Sequence, residues 1–227
     1  MLLEVCCTDM DAVREAIEGG ADRVELCVNI EKGGLTPPLD FVREAMATGI
    51  RVHVLIRPRP GNFVYNEAEA ETMLQSIRQF MDIGVEGFVF GALTPDGEVD
   101  IPLCKRMLDA SGMTYVTFHR AFDECRYPFR SFRYIERMGF DRILTSGQKA
   151  TALEGAPLIH ELVQRASSRI DFFIMAGSGI NASNAEEVIR LTGVKEIHGT
   201  LREPIDGVLR TTARQVRMVK DICLQHK

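Results

Sequence analysis

The residues best suited to chemistry in this sequence follow one apolar run near its middle. Tyr115–Phe118 is rich in β-branched and aromatic residues, which favours a β-strand. His119 ends this run, and Asp123 follows four residues later. His119 can serve as a general acid or base, as a ligand, or as a hydrogen-bonded core group. Asp123 can orient a substrate or cap the following helix, so neither residue has a single interpretation.

Two of the six cysteines occupy equivalent places in the chain. Cys6 and Cys27 each end an apolar run, and neighbouring strands lie about 4.8 Å apart. Two such thiolates can bind one soft metal ion linearly, or they can pack as small hydrophobic groups. No C-x-x-C occurs, so the remaining cysteines are expected to be reduced structural thiols.

A second group of residues suits an anion. Arg57 and Arg59 alternate on a proline-flanked segment and can hold a carboxylate or phosphate, although Arg57 can also neutralise buried glutamates. Glycine-containing loops follow the last two apolar runs, and backbone N–H groups of such loops bind phosphate in many barrels or simply make tight turns. The candidate anion-binding residues are Arg57, Arg59, Ser146, Gly177, Gly179, His198 and Gly199.

The elements that must position these side chains alternate along the chain. Short apolar runs and amphipathic segments form about eight strand–helix units without a linker, ending in a predicted helix from Val208 to Leu224. A helix ending toward Ser168 and a strand starting at Ile170 are among them. The pattern predicts a closed α/β barrel, (β/α)₈, as a single domain over residues 1–227. An open doubly wound sheet is the alternative, but no dinucleotide-binding fingerprint follows the first strand.

Strand alternation places an unusual number of polar groups inside this barrel. If the apolar residues of each strand face the helices, then Glu4, Glu25 and Arg57 point inward, as do His119 and His198. Barrel interiors are normally filled by Val, Ile and Leu, and a buried charge needs a partner. The cluster therefore predicts either a site or a paired polar core. The catalytic candidates are His119, Asp123, Glu4 and Glu25.

Composition limits the partners of the protein. The net charge is −5 and no Lys/Arg-rich run occurs, so we expect neither nucleic acid nor an anionic membrane as a partner. The N-terminal residues lack a basic targeting region. A membrane-spanning helix needs about 20 consecutive apolar residues, and no stretch of the sequence approaches that length. We expect a soluble, cytoplasmic protein.

Several motifs, read in order, resemble the CutC family of copper homeostasis proteins. They are Glu4-Val5-Cys6, residues 20–27, Ile56-Arg57-Pro58-Arg59, residues 89–93, residues 117–123, residues 144–147 and Glu196-Ile197-His198. The resemblance implies a TIM-type barrel, a cytoplasmic location and Cu(I) binding, with Cys6 and Cys27 matching the proposed copper ligands. Departures from the family pattern occur at Asn62-Phe63, Gln148, Ser178 and Thr200.

Two classes of function are consistent with these residues. The first is a copper-binding homeostasis protein that uses Cys6 and Cys27. The second is a barrel enzyme on a small anionic substrate, with or without a phosphate group. His119 would be its acid or base, Arg57 and Arg59 would hold the anion, and the Gly177 and Gly199 loops would bind a phosphate. The expected partners are a metal ion or a small anionic molecule, together with a second copy of the chain in a homodimer.

Overall fold

A computed structural model describes residues 1–166 and 171–226 of the chain. The predicted helix end at Ser168 and strand start at Ile170 lie outside the described residues. In chain order the elements are β1 (Leu2–Cys7), α1 (Met10–Gly19), β2 (Arg23–Leu26), α2 (Leu39–Met46), β3 (Val52–Leu55), α3 (Glu67–Asp82), β4 (Gly87–Phe90), α4 (Ile101–Ser111), β5 (Tyr115–Phe118), α5 (Pro128–Met138), β6 (Arg142–Thr145), α6 (Ala156–Ala166), β7 (Phe173–Gly177), α7 (Ala185–Thr192), β8 (Glu196–Gly199), β9 (Arg202–Ile205), β10 (Val208–Thr211) and α8 (Ala213–Gln225).

The eight strands β1 to β8 form a closed parallel barrel in chain order. Closure depends on β8 pairing with β1, with Glu4 beside His198 and Val5 beside Gly199. The predicted (β/α)₈ barrel is therefore confirmed. Because all strands run the same way, the loops after them meet at one mouth, where barrels of this kind carry their sites.

Two apolar clusters separate the outside of the barrel wall from its inside. The larger one lies between strands and helices and contains Leu3, Val5 and Cys7 of β1. The smaller one contains Cys6, Cys27, Leu55 and Val89. Residues of β1 alternate between the two clusters, as the two-residue period of a strand requires.

Helix caps agree with the sequence at α1 and α3. Asp9 accepts from the backbone N–H of Ala12, and Gly20 ends α1 with φ +87°. Asn66 and Glu69 form a reciprocal capping box at the start of α3. These local bonds satisfy backbone groups that the helix ends leave free, and so fix where each helix begins or ends.

The predicted last helix begins too early. Residues 202–211 instead form the hairpin β9–β10, and α8 starts after Thr212, whose hydroxyl accepts from the N–H of Gln215. Asp206 and Gly207 connect the strands with φ +50° and +78°. An Asp-Gly pair with both φ values positive is a tight hairpin turn, and this signal outweighs the apolar periodicity of the segment. No helix among the described residues is long and apolar enough to cross a membrane.

Candidate functional site

A cavity of about 390 Å³ opens at the mouth of the barrel. The ends of β1, β2, β3, β5 and β8 and the loops after β7 and β8 form its wall. Several of the predicted site residues line it together: Cys6, Glu25, Cys27, Arg57, His119, Gly179, His198 and Gly199. A site made from the ends of many strands is typical of this fold.

The two thiols of the cavity face each other. Cys6 Sγ lies 3.3 Å from Cys27 Sγ, on neighbouring paired strands. The hydrogen bond with Cys27, together with burial, raises the pKa of the Cys6 thiol well above its ordinary value. The donor atoms of Cys6, Glu25 and Cys27 all lie within 4.8 Å of one another. The two sulfurs are soft ligands of the kind that Cu(I) prefers, whereas a carboxylate suits harder ions.

Beside the thiols lies a histidine held by carboxylates. His198 Nδ1 is 2.8 Å from Glu4 Oε1 and 3.7 Å from Glu25 Oε2. Burial opposes charge on His198, but Glu25 and Glu4 raise the pKa of its imidazole above the ordinary value. Burial also opposes charge on Glu4, yet Arg23 and His198 lower the pKa of that carboxyl well below its usual range. Glu4 is fully buried and does not line the cavity, so it supports the site from below.

Unlike Glu4, Glu25 lies in an environment that favours its protonated form. Its Oε2 is buried and has no hydrogen-bond partner among the described residues. Burial raises the pKa of Glu25 to about 8. The two carboxyls that strand alternation places inside the barrel therefore differ, because Glu4 forms an ion pair with the guanidinium of Arg23, whereas no guanidinium of the described residues forms one with Glu25.

The hydrogen bonds of His119 differ from those of His198. Its Nδ1 accepts from the backbone N–H of Ala121 at 3.2 Å, so the neutral ring carries its proton on Nε2. Nε2 is buried and has no acceptor among the described residues. Burial and the neighbouring cation of Arg57 lower the pKa of His119 to about 3. The neutral ring is therefore a hydrogen-bond donor near pH 7, and its role as an acid or base stays a prediction.

Arg57 does not neutralise the inward glutamates, and that expectation is wrong. Its Nη1 donates to the carbonyls of Lys32 and Gly34 at 3.1 Å, and its Nη2 donates to the carbonyl of Gly61 at 2.7 Å. Its guanidinium also lies over the Phe63 ring, 4.9 Å from the centroid. Nε keeps no partner among the described residues. Arg57 thus joins two loops at the cavity wall and still brings a positive charge there.

Three other predicted residues lie outside the cavity. Arg59 pairs with Glu69 and donates to the carbonyl of Val64. Asp123 accepts from Thr145, from the backbone N–H and hydroxyl of Ser146, and from the backbone N–H of Gln148. Asp123 therefore fixes the loop after β6. Ser146 belongs to the same hydrogen-bond network, through its backbone N–H and its hydroxyl.

The loops after β7 and β8 form one side of the cavity. Gly179 and Gly199 line it, whereas Gly177 lies behind them, where a Cβ would come 2.5 Å from Leu144. Ser178 has φ +85° although it is not a glycine. Backbone in this region is uncommon for such a residue and tends to occur at sites.

Sequence reasoning missed the two cations that hold the polar core. Arg23 donates to Glu4 and also to Glu196, where Nη2 lies 3.1 Å from Oε2. Arg142 Nε lies 3.0 Å from the same oxygen of Glu196. Arg23 precedes Glu25 by two residues, so the alternation that placed Glu25 inside also placed Arg23 there. Arg142 is the first residue of β6, and the apolar residues that follow it define the strand in the sequence without indicating that Arg142 points inward.

Comparison with known proteins agrees with this architecture. The sequence model of the CutC family matches residues 1–203. The chain belongs to the CutC family. A family protein CutC of Bacteroides fragilis is 45% identical over 220 residues, which cover 96% of this chain and 86% of that protein.

Solved structures support the family membership and the fold. The CutC of Streptococcus agalactiae, for which a role in copper homeostasis has been suggested, superposes with a TM-score of 0.83 at 33% identity, covering 88% of this chain and 98% of that one. Phosphoribosyl anthranilate isomerase of Thermotoga maritima superposes with a TM-score of 0.63 at 15% identity, covering 99% of this chain and 100% of that one. At that identity the likeness shows the fold alone.

Proposed function

We propose that this CutC-family protein binds one Cu(I) ion per chain through the thiolates of Cys6 and Cys27. The observation that carries the proposal is the 3.3 Å separation of the two sulfurs in the wall of an open cavity. A linear pair of metal–thiolate bonds of about 2.3 Å spans about 4.6 Å, so the sulfurs must move apart to hold an ion linearly. The 3.3 Å between the two sulfurs does not exceed the about 4.6 Å that a linear site requires, so both can reach one ion. The two soft sulfur donors favour Cu(I) over Mg²⁺ or Ca²⁺.

Anaerobic titration with Cu(I) against a chromophoric Cu(I) chelator tests this site. One equivalent is expected for the native chain and none for Cys6→Ser or Cys27→Ser. Cys7→Ala is the matched control, because Cys7 adjoins Cys6 in the chain but packs on the outer side of the barrel wall. Stoichiometric binding that survives both serine variants would exclude the thiol pair as the copper site.

We also propose, as a second function, that the same cavity binds a small phosphorylated molecule. The specific observation is that three buried polar atoms around it lack partners among the described residues: Nε2 of His119, Nε of Arg57 and Oε2 of Glu25. Buried polar groups are normally hydrogen-bonded, and a two-thiol copper site has no use for these. Arg202 also lines the cavity and adds positive charge beside the glycine loops, whereas Arg120 lines it but pairs with Asp123 at 2.8 Å.

Calorimetry with inorganic phosphate and with 2-phosphoglycolate tests the second function. Arg202→Met and Arg57→Met are each expected to weaken 2-phosphoglycolate at least tenfold, since each removes a cation from the cavity wall. Arg59→Met is the matched control, because Arg59 is held by Glu69 outside the cavity. Equal affinities in all three variants, or no binding to the native chain, would refute the proposal. Cu(I) binding is expected to persist in Arg202→Met.

A further inference from the structure

His198 is the one cavity histidine whose ring is open to a ligand and oriented by a carboxylate, among the residues the structure describes. Nδ1 faces Glu4 Oε1 at 2.8 Å, while Nε2 has no partner and is not among the buried atoms. The side chain is 12% exposed and lines the cavity. Nε2 therefore meets whatever occupies the cavity.

The partner of His198 is held in its ionised form. The second oxygen of Glu4 accepts from Nε of Arg23, which is itself fully buried. A carboxylate only accepts, so Nδ1 of His198 must donate, and the neutral ring then carries its lone pair on Nε2. This arrangement, in which a buried carboxylate fixes the tautomer of a histidine, prepares an imidazole to act as a base.

His119, another residue that lines the cavity, supplies the complementary group. Its Nδ1 is occupied by the Ala121 N–H, so only a proton on Nε2 remains to be donated. The Phe63 ring lies 4.8 Å from the imidazole, and Arg57 adds a cation nearby, so the ring stays neutral. A neutral imidazole that donates a hydrogen bond polarises a carbonyl oxygen without giving up its proton.

Catalysis through a covalent intermediate is less well supported by the residues that line the cavity. Among the described residues that line the cavity there is no lysine, so a Schiff base has no amine there. The Cys6 thiol is buried and hydrogen-bonded with Cys27, which raises its pKa well above the ordinary value and makes it a weak nucleophile.

We propose that the cavity catalyses proton transfer at the carbon next to the carbonyl of a small phosphorylated aldehyde or ketone, with Nε2 of His198 as the base and Nε2–H of His119 as the donor to the carbonyl oxygen. Glu4 is the positioning residue. The proposal rests on the second proposed function, because the phosphate must first be held in the cavity.

The step balances within the substrate and the histidine. Nε2 of His198 takes the proton, the C–H electron pair becomes the carbon–carbon π bond, and the carbonyl π pair moves to oxygen as an enolate. The His119 N–H stabilises that oxygen. Return of a proton from His198 to the same carbon restores the substrate with a hydrogen exchanged from solvent, and leaves His198 neutral.

Deuterium exchange measured by NMR in D₂O tests the reaction, using dihydroxyacetone phosphate, glyceraldehyde 3-phosphate and ribulose 5-phosphate. Protein-dependent exchange at the α carbon is expected with at least one compound, and its rate is expected to fall at least 100-fold in His198→Gln. His160→Gln is the matched control, since His160 is exposed on α6. Exchange by the native protein is expected to be equal with and without a Cu(I) chelator, which separates this chemistry from copper.

Two further measurements keep the test decisive if His198→Gln folds poorly. ¹⁵N NMR of the native protein is expected to find the neutral tautomer of His198 protonated on Nδ1 and that of His119 protonated on Nε2. Glu4→Gln is expected to lower kcat while leaving KM unchanged and to alter the His198 tautomer. Binding of 2-phosphoglycolate without exchange of any compound would overturn the inference and leave anion binding intact, whereas absence of both would remove both proposals. Exchange unchanged in His198→Gln, or an Nε2–H tautomer at His198, would also overturn it.

Discussion

Glu4 and His198 lie side by side on the paired strands β1 and β8, with Oε1 2.8 Å from Nδ1. Beneath them Arg23 joins Glu4 to Glu196, and Arg142 binds Glu196 from the far side. Opposite charges thus alternate across the barrel interior under the cavity. The network supports the orientation of His198, because Glu4 cannot rotate without leaving Arg23.

Removal of the central cation is expected to destabilise the barrel strongly. Arg23→Met leaves Glu4 and Glu196 without their buried partner, at a cost of about 3–5 kcal/mol. Arg51→Met is the control, since Arg51 pairs with Glu86 at 3.3 Å on the surface, where a pair contributes less than about 1 kcal/mol. Urea unfolding of both variants makes the comparison, and equal losses would contradict a structural role for the Arg23 network.

His119 should make stability depend on pH below neutrality. In the folded protein its pKa is lowered to about 3, whereas an unfolded histidine takes up a proton near pH 6.5. The unfolded state therefore binds more protons between these values, so the stability present above about pH 6.5 is lost as pH falls toward 3. The slope due to this residue approaches about 1.4 kcal/mol per pH unit. Chemical unfolding at several pH values should find a shallower slope in His119→Phe and an unchanged one in His160→Gln.

Asp123 is expected to act on the loop after β6. Asp123→Asn keeps one acceptor oxygen where Thr145, Ser146 and Gln148 all donate to the carboxylate. The loss is expected to be about 1.5–3 kcal/mol, as for hydrogen bonds to a charged group. Asp96→Asn, in an exposed turn, should change stability by less than about 0.5 kcal/mol. If Asp123→Asn is as stable as Asp96→Asn, this network does not hold the loop.

Two glycines with the same backbone angle separate strain from packing. Gly34 and Gly49 both have φ +82°, but a Cβ on Gly34 would come 2.9 Å from Leu55 Cδ2, whereas one on Gly49 meets nothing within 4 Å. Gly49→Ala is expected to cost about 1 kcal/mol for the left-handed backbone alone. Gly34→Ala is expected to cost about 1–3 kcal/mol more, because it presses on the cavity wall. Thermal unfolding with matching midpoints in the two variants would argue against the packing effect.

The homodimer expected from the sequence stays a prediction. The β9–β10 hairpin exposes Ile205, Val208 and Leu209 by 42%, 52% and 57%, and a second copy can cover such side chains. Sedimentation velocity is expected to find a dimer that Leu209→Lys weakens, with Leu224→Lys on α8 as an exposed control. A native chain that sediments as a monomer at all concentrations would refute it.

The local patterns were sufficient for the barrel and for much of the cavity. Alternation along β1, β2 and β8 identified Cys6, Cys27 and His198 as inward residues, because a strand sends every second side chain to the same face. The same reasoning could not tell which inward residue lies deepest. Alternation therefore predicted Glu4 at the mouth, although it is fully buried beside His198 and does not line the cavity.

The sequence by itself determined the βα periodicity, the closed barrel and the set of polar side chains that point into it, since these follow from periods of two and 3.6 residues and from local caps. Only the tertiary structure decided how those side chains pair. Glu4 pairs with Arg23, whereas Glu25 has no guanidinium partner among the described residues and lies 3.7 Å from Nδ1 of His198. His119 Nδ1 accepts from the nearby backbone N–H of Ala121, while His198 Nδ1 faces the Glu4 carboxylate. These partners come from strands far apart in the chain, and their separation depends on barrel register and depth. The charge on each group follows from that pairing, because burial penalises a charge unless a partner lies within a few ångströms.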